Sequence, residues 1–308
     1  MKNTSKESIS CTKAVCSAWD RMEKTLFHPF DPGKWFLLGF SAWLANLGQG
    51  FGFHFNFPSM PQKSAFPFEN IPTPLLVLIC CIAALAALLC LVLAIVMLWI
   101  RSRGDFMFLD NLVHGKTLIL EPWKKYSRQG NSLFIFRIAC WILFIGFLLM
   151  TLASSLFFCW HSIQTGKMDS LCIAGIIFGI SCLLIFISTV SFYELSLKSF
   201  IIPIMFKRQI GACDASIVFF TLFTGSLTAF IRYYLLYMLL SLCASIAVIV
   251  FIFSTCCLCC IGLIVLCLPY VWAVVMLPIL TFFRFYSVEF LAQFGDDYDV
   301  YAVSASKE

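Results

Sequence analysis

Charge is what this sequence has least of. Asp, Glu, Lys and Arg make up 12% of the 308 residues, against about 25% in an ordinary soluble domain. That scarcity excludes a soluble enzyme of the usual kind, a nucleic-acid-binding domain and a disordered chain, all of which depend on charge for solvation or for their partners. Histidine is also sparse, with only His28, His54, His114 and His161, and they are scattered along the chain. There is no His-Glu-x-x-His, no Gly-x-Ser-x-Gly and no pair of carboxylates inside an apolar run, which removes the motifs of zinc peptidases and serine hydrolases. The expectation is therefore no enzyme and no cofactor. The first 34 residues contain no continuous apolar stretch of the signal-peptide kind, so the first span is expected to stay as an anchor.

What is abundant is apolar surface. Apolar residues make up 61% of the chain, Phe alone occurring 34 times, and the mean hydropathy is +0.94. A helix needs about 20 apolar residues to cross roughly 30 Å of hydrocarbon. Pro74 to Ile100, Ile138 to Trp160 and Ser170 to Tyr193 each run without a charge, and so does Tyr233 to Phe283. That last run would make roughly 77 Å of helix, enough for two crossings with a turn near Ser254–Gly262. Trp35 to Phe53 supplies a shorter first span. The predicted fold is all-α, a six-transmembrane helical bundle built as three helical hairpins with cytoplasmic interfacial helices. The expected spans are about 35–53, 74–100, 133–160, 170–195, 233–255 and 262–285. They lie in a single membrane domain over 17–295, between a polar N-terminal tail (1–16) and an acidic C-terminal tail (296–308).

Local signals mark the starts. Asp31-Pro32 reads as an N-cap followed by proline at N1, with Phe30 and Trp35 placed to form a hydrophobic staple. Thr73-Pro74 repeats the pattern, Asn131 or Ser132 is placed to cap the third span, and Asp169 the fourth. Basic residues alternate between sides. Lys2, Lys6, Lys13, Arg21, Lys24 and Lys34 precede the first span. Arg101, Arg103, Lys116, Lys124, Lys125 and Arg128 follow the second, and Lys198, Lys207, Arg208 and Arg232 follow the fourth. The opposite loops carry only Lys63 and Lys167. The positive-inside rule then puts both termini in the cytoplasm of a cell-membrane protein.

The predicted cytoplasmic segments carry more detail. Trp19, Met22, Leu26 and Phe30 fall on one helical face opposite Asp20, Arg21, Glu23 and Lys24, which reads as an interfacial helix or as a short helix packed on the ends of the bundle. Gly130-Asn131-Ser132-Leu133 before Phe136 and Arg137 rhymes with Gly225-Ser226-Leu227 before Phe230 and Arg232. Phe106-Met107-Phe108-Leu109-Asp110 rhymes with Phe285-Tyr286-Ser287-Val288-Glu289. Three similar units or chance likeness among Phe- and Leu-rich helices both account for this.

Some strings are more specific. They are Leu26-Phe27-His28-Pro29-Phe30-Asp31 with Lys34-Trp35-Phe36, Arg103-Gly104-Asp105 running on to Asn111, and Glu121-Pro122-Trp123 with Gly130-Asn131-Ser132-Leu133-Phe134. After these come Pro203-Ile204-Met205 before Lys207-Arg208, and Phe283-Arg284 with Tyr286 to Gly295. In that order, over residues 17–300, the chain resembles a family of multi-pass bacterial membrane proteins of unknown function. Its layout is similar, more distantly, to the membrane region of some glycerophosphodiesterases, whose catalytic part is a soluble barrel without a counterpart here. The resemblance implies topology and supplies no reaction.

The remaining motifs favour plain readings. Gly48-Gln49-Gly50-Phe51-Gly52 lacks the strand and helix that a phosphate loop needs. Arg103-Gly104-Asp105 falls on the predicted cytoplasmic side, which excludes an adhesion role. Cys256-Cys257-Leu258-Cys259-Cys260 has no second pair or nearby His for a metal site, and packing is favoured over metal or redox chemistry. Cys159 and Cys172 flank an external loop and allow a disulfide. Gly175 and Gly179 form a GxxxG packing stripe, and Pro269 and Pro278 should kink the sixth span. Arg101, Arg103, Trp123, Lys124, Lys125 and Arg128 form a collar for anionic lipid headgroups, Arg103 being partly neutralised by Asp105 or Asp110. Arg137, Glu194, Arg232, Arg284 and Glu289, near span ends, are candidates for ion pairs or a substrate path, with Glu194 and Lys198 in favourable i,i+4 order. The expected partners are the bilayer and its anionic headgroups, with no nucleic acid. The expected function is membrane organisation or service as the membrane subunit of an assembly, the rival being a small transporter or lipid-handling protein.

Overall fold

A computed structural model of the protein describes residues 9–48, 73–115, 117–165, 170–258 and 268–301. Helix α1 (Cys11–Leu26) is followed by α2 (Pro32–Ala45), α3 (Thr73–His114), α4 (Leu120–Lys125), α5 (Ser127–Thr165) and α6 (Ser170–Ser196). A π-helical turn (Leu197–Ile201) joins α6 to α7 (Ile202–Arg208). Then come α8 (Ala212–Gly225), α9 (Leu227–Leu258), α10 (Pro269–Val275) and α11 (Leu277–Ala292). No strand occurs among the described residues.

Four helical stretches are long and apolar enough to cross a membrane: Pro74–His114, Ser127–Trp160, Ser170–Arg208 and Leu227–Thr255. In each, at most 11% of the most apolar window is buried. Leu85, Leu143, Leu184 and Leu235 are each more than 60% exposed. The interior lies elsewhere, at one end of these arms. It takes the C-terminal part of α3, the N-terminal turns of α5 and α9, the π turn with α7 and α8, and the faces of α1, α2 and α11 that meet them. Phe200 is its hub, with Tyr233, Phe230, Phe219 and Phe290 rings at 4.9, 5.1, 5.4 and 6.0 Å. Burying one such ring stabilises the fold by about 1.5–3 kcal/mol.

The caps work as the residues suggest at α2. Asp31 accepts from Gly33 N at 2.8 Å, and Phe30 packs on Trp35 at 5.5 Å. At α5 they do not. That helix begins at Ser127 and passes straight through Asn131 and Ser132. Ser132 Oγ instead accepts from the backbone N–H of Ala212, so it caps α8 from outside. Asp169 lies outside the described residues.

Helix α1 starts at Cys11, inside the segment expected as tail, with Ser10 as N-cap. Its buried stripe is Ala14, Ala18, Met22 and Leu26, so Trp19, 56% exposed, faces outward rather than inward. The stripe packs on α11. The contact is locked at its end by Gln293, which accepts from Ser10 N–H and donates to Ser10 C=O. The chain after Gly295 folds back on the head. Val300 is buried, Arg21 stacks on Tyr301 and Arg208 on Tyr298. Residues up to Tyr301 therefore pack on the head.

Helices α5 and α6 pack side by side. A Cβ on Gly175 would lie 2.6 Å from that of Phe158, and one on Gly179 would lie 3.2 Å from that of Ser155, so the glycine stripe is what lets the two backbones approach. Cys159 and Cys172 are free thiols, the Cys159 Sγ pointing to the Cys172 carbonyl at 3.7 Å. Pro278 sits in the first turn of α11, and Met276 breaks the run between α10 and α11. Without its N–H, proline cannot bond to the carbonyl four residues back, and the stretch from Pro269 to Ala292 forms two helices.

Candidate functional site

The site is organised by one proline. In the π turn the N–H of Ile202 bonds to the carbonyl of Leu197, five residues back. The carbonyl of Lys198 would next receive residue 203, but Pro203 has no N–H. That carbonyl is thus without a backbone donor, and Arg284 Nη1 of α11 donates to it at 2.5 Å. Arg284 Nη2 donates to the carbonyl of Asp105 on α3 at 3.3 Å. One guanidinium therefore ties α3, the π turn and α11 together. Single π turns occur often at functional sites.

Charged side chains from five elements converge here. Arg137 of α5, fully buried, donates from Nη2 to Asp105 Oδ2 at 2.7 Å and from Nη1 to Ser102 Oγ at 3.0 Å. Arg101 donates to Glu194 of α6 at 2.7 Å. Lys198 Nζ donates to Asn46 Oδ1, just past α2, at 2.7 Å. Between them lies a cavity of about 200 Å³, lined in part by Asn46, Asp105, Lys198, Ser199, Arg284 and Ser287. Gly104 lets α2 close one side, since a Cβ there would lie 2.7 Å from the Leu44 carbonyl carbon. Charges removed from water at this depth are tolerated only when paired and hydrogen-bonded.

The expected collar divides in two. Arg101 points inward and belongs with the buried pairs. Arg103 stays at the rim, its guanidinium 4.4 Å from the Trp99 ring and 5.5 Å from that of Trp123. It donates to Asn131 Oδ1 at 3.1 Å. Neither carboxylate expected to neutralise it does so. Asp105 is taken by Arg137, while Asp110 accepts from Tyr126 at 2.8 Å and pairs with Lys125 at 3.5 Å. Burial, and then the bond to Asp110, push the Tyr126 phenol above its ordinary range. Lys124, Lys125 and Arg128 are exposed and Trp123 is half-buried beside them.

Of the span-end charges, Arg137, Glu194 and Arg284 meet in the cluster. Glu289 stands apart, paired with Arg21 of α1, and burial raises its carboxyl above the usual value despite that partner. Arg232 is exposed on α9. Its counterpart in the rhyming strings, Arg137, is fully buried, so the two positions do not share an environment. Lys198 turns to Asn46 and Glu194 to Arg101, in place of the expected i,i+4 pair. Lys198 and Asn46 were not singled out from sequence as a contact. The available signal was Pro203 five residues beyond Lys198. Helix α9 runs through Cys256 and Cys257 to Leu258, whereas Cys259, Cys260 and the glycine string after Gly48 lie outside the described residues.

A family model described as "Family of unknown function (DUF7544)" matches residues 9–269. The chain belongs to this family. No curated protein and no solved structure matches it. The DUF7544 match covers the collar, the π turn and all of the buried charges except Arg284.

Proposed function

We propose that the chain is a non-enzymatic, multi-pass protein of the cell membrane that organises the membrane or forms the membrane subunit of an assembly. In this reading it crosses six times as three hairpins, with both termini in the cytoplasm. The two crossings beyond the four long helices are completed by α2 and by α10–α11. The bacterial, multi-pass character of the resembled family belongs to the same reading, as does the more distant likeness in layout to glycerophosphodiesterase membrane regions.

The observation that carries it is the division between arms and head. The arms show almost bare apolar surface, while the charges at their ends are turned inward and tied to one another. Such arms need lipid or partner helices around them, and such a head holds their ends in fixed positions. Around it Arg103, Lys124, Lys125 and Arg128 stay outward with Trp99 and Trp123, a composition suited to anionic headgroups, where each basic residue contributes about 1 kcal/mol.

A lipid-handling role is the second reading. It is favoured by an apolar groove of about 1010 Å³ between α1, α9 and α11, lined by Trp19, Phe27, Leu240 and Phe282 among others.

Topology is tested with single engineered cysteines labelled from outside the cell. Sites near Lys63 and Lys167 should react, and sites near Lys116 and Lys207 should not. Reaction at Lys116 would overturn the orientation. For the collar, Lys124, Lys125 and Arg128 are changed together to Gln. Binding to anionic vesicles should weaken, more at low salt than at high, whereas binding unchanged across that range would remove the headgroup role.

A further inference from the structure

The charged cluster does not balance. Its cations are Arg101, Arg137 and Arg284, all buried, and the half-buried Lys198; its anions are the buried Asp105 and the half-buried Glu194. Two direct pairs, Arg101 with Glu194 and Arg137 with Asp105, both at 2.7 Å, use the two carboxylates. Lys198 and Arg284 are left with neutral partners only: an amide oxygen for the lysine and two backbone carbonyls for the arginine. These same two residues line the cavity of about 200 Å³. Arg284 is 7% exposed, and its Nε has no hydrogen-bond partner among the described residues. The Nε of Arg101 and of Arg137 are likewise without a partner among the described residues, so it is the pairing that sets Lys198 and Arg284 apart. Asp105 acts on both through space but is hydrogen-bonded to Arg137, which leaves two only partly compensated cations beside one cavity, a costly arrangement without a further counter-charge.

We propose that this cavity is an anion site that takes a phosphate group between the Lys198 ammonium and the Arg284 guanidinium. Phosphate suits the donors better than a halide does. It offers several acceptor oxygens in fixed directions, and guanidinium and ammonium groups are its usual ligands. Asn46, Ser199 and Ser287 line the same space and add neutral polar contacts. Asp105 also lines it, and its repulsion is offset by Arg137. The phosphate has two sources, a free anion or a phospholipid headgroup. The second is in reach because Phe283 borders both this cavity and the apolar groove between α1, α9 and α11. The site rests on the cluster alone and stands whether or not the six-span topology does.

The test uses the full chain purified in neutral detergent at constant ionic strength, with unfolding temperature as the readout. The probes are inorganic phosphate against chloride, and dioctanoyl phosphatidylglycerol against dioctanoylglycerol, which has the same chains and no phosphate. A saturable rise with inorganic phosphate beyond chloride identifies a free-anion site. A rise with the phospholipid alone, beyond the diacylglycerol, identifies a headgroup site. In either case Lys198→Gln should weaken the apparent affinity by about tenfold or more, corresponding to the loss of one charge-assisted contact. Lys198→Arg should restore most of it, and Lys24→Gln, exposed on α1 away from both the cavity and the collar, should leave it unchanged. The proposal is overturned if neither probe exceeds its control, if Lys198→Gln keeps the full response, or if Lys24→Gln abolishes it. Should Lys198→Gln fail to fold, the two comparisons with controls in the parent protein decide the matter.

Discussion

Replacing Asp105 by Asn tests the organisation of the head most directly. Asp105 is 2% exposed and is the carboxylate against which Arg137, itself fully buried, is held at 2.7 Å. The substitution keeps the size and one acceptor oxygen but leaves the Arg137 charge without compensation. Breaking a buried pair from one side costs about 3–5 kcal/mol, about a fifth or more of a typical total of roughly 5–15 kcal/mol. The Lys125–Asp110 contact is a built-in comparison. At 3.5 Å, with the lysine side chain 45% exposed, it is screened by solvent, and Lys125→Ala should cost about 1 kcal/mol or less. Thermal unfolding of both variants in the same detergent, followed by thiol accessibility of the native cysteines, gives the ranking. Asp105→Asn should melt far below the parent and Lys125→Ala close to it. The double variant Asp105→Leu with Arg137→Met, which removes both charges, should recover much of the loss. If Asp105→Asn melts within a degree or two of the parent, the head is not held by this pair and the reasoning from burial fails.

Gly104→Ala should destabilise clearly, because its Cβ would meet backbone of α2 at 2.7 Å, whereas Gly146→Ala, with open space around it, should be neutral or stabilising by up to about 1 kcal/mol; melting temperatures of the two separate them. Burial raises the Glu289 carboxyl above 4.5 in the fold, so its contribution is fully present below that pH and fades as pH rises through the raised value. The parent should therefore lose stability over that window and Glu289→Gln should lose less, as read from melting temperature against pH. Gly175→Leu should separate α5 from α6, and cross-linking between cysteines placed at Ser155 and Gly179 should fall in that background.

The parts of the fold read from sequence were those set by local chemistry. Apolar runs without charge become apolar helices whatever they pack against, so the arms around 74–100, 138–160 and 170–193 were legible. The Asp31-Pro32 cap depends on neighbours within a few residues and was legible too, as was the Gly175–Gly179 stripe. Asn131 and Ser132 have the chemistry of caps, yet α5 has already begun at Ser127 and runs through them, and both side chains serve other helices instead. The expected face of α1 holds at Met22 and Leu26, which are buried, but close packing on α11 selects the small residues Ala14 and Ala18 in place of the larger Trp19.

The charged cluster was hidden for a different reason. Basic residues at the end of a membrane span have an ordinary explanation in snorkelling and the positive-inside rule, and nothing local tells Arg101, which turns in, from Arg103, which turns out two residues later. Helical geometry gives the answer only once a partner is known. Residues two apart point about 200° apart on a helix, so packing Asp105 and Arg101 inward forces Arg103 out onto Trp99 and Trp123. The partner faces are set by residues far away in sequence: Glu194 for Arg101, Arg137 for Asp105, and Arg284 for the carbonyl of Lys198. Pro203 was the one local clue to that last contact. Its missing N–H unpairs a carbonyl in a helix that packs against α11, and an unpaired carbonyl in a protein interior calls for a donor from another element. Arg284 supplies that donor with Nη1, gives Nη2 to the carbonyl of Asp105, and lines the cavity beside Lys198. The device that fastens the three helices thus also sets a guanidinium beside an ammonium, neither of them hydrogen-bonded to a carboxylate among the described residues.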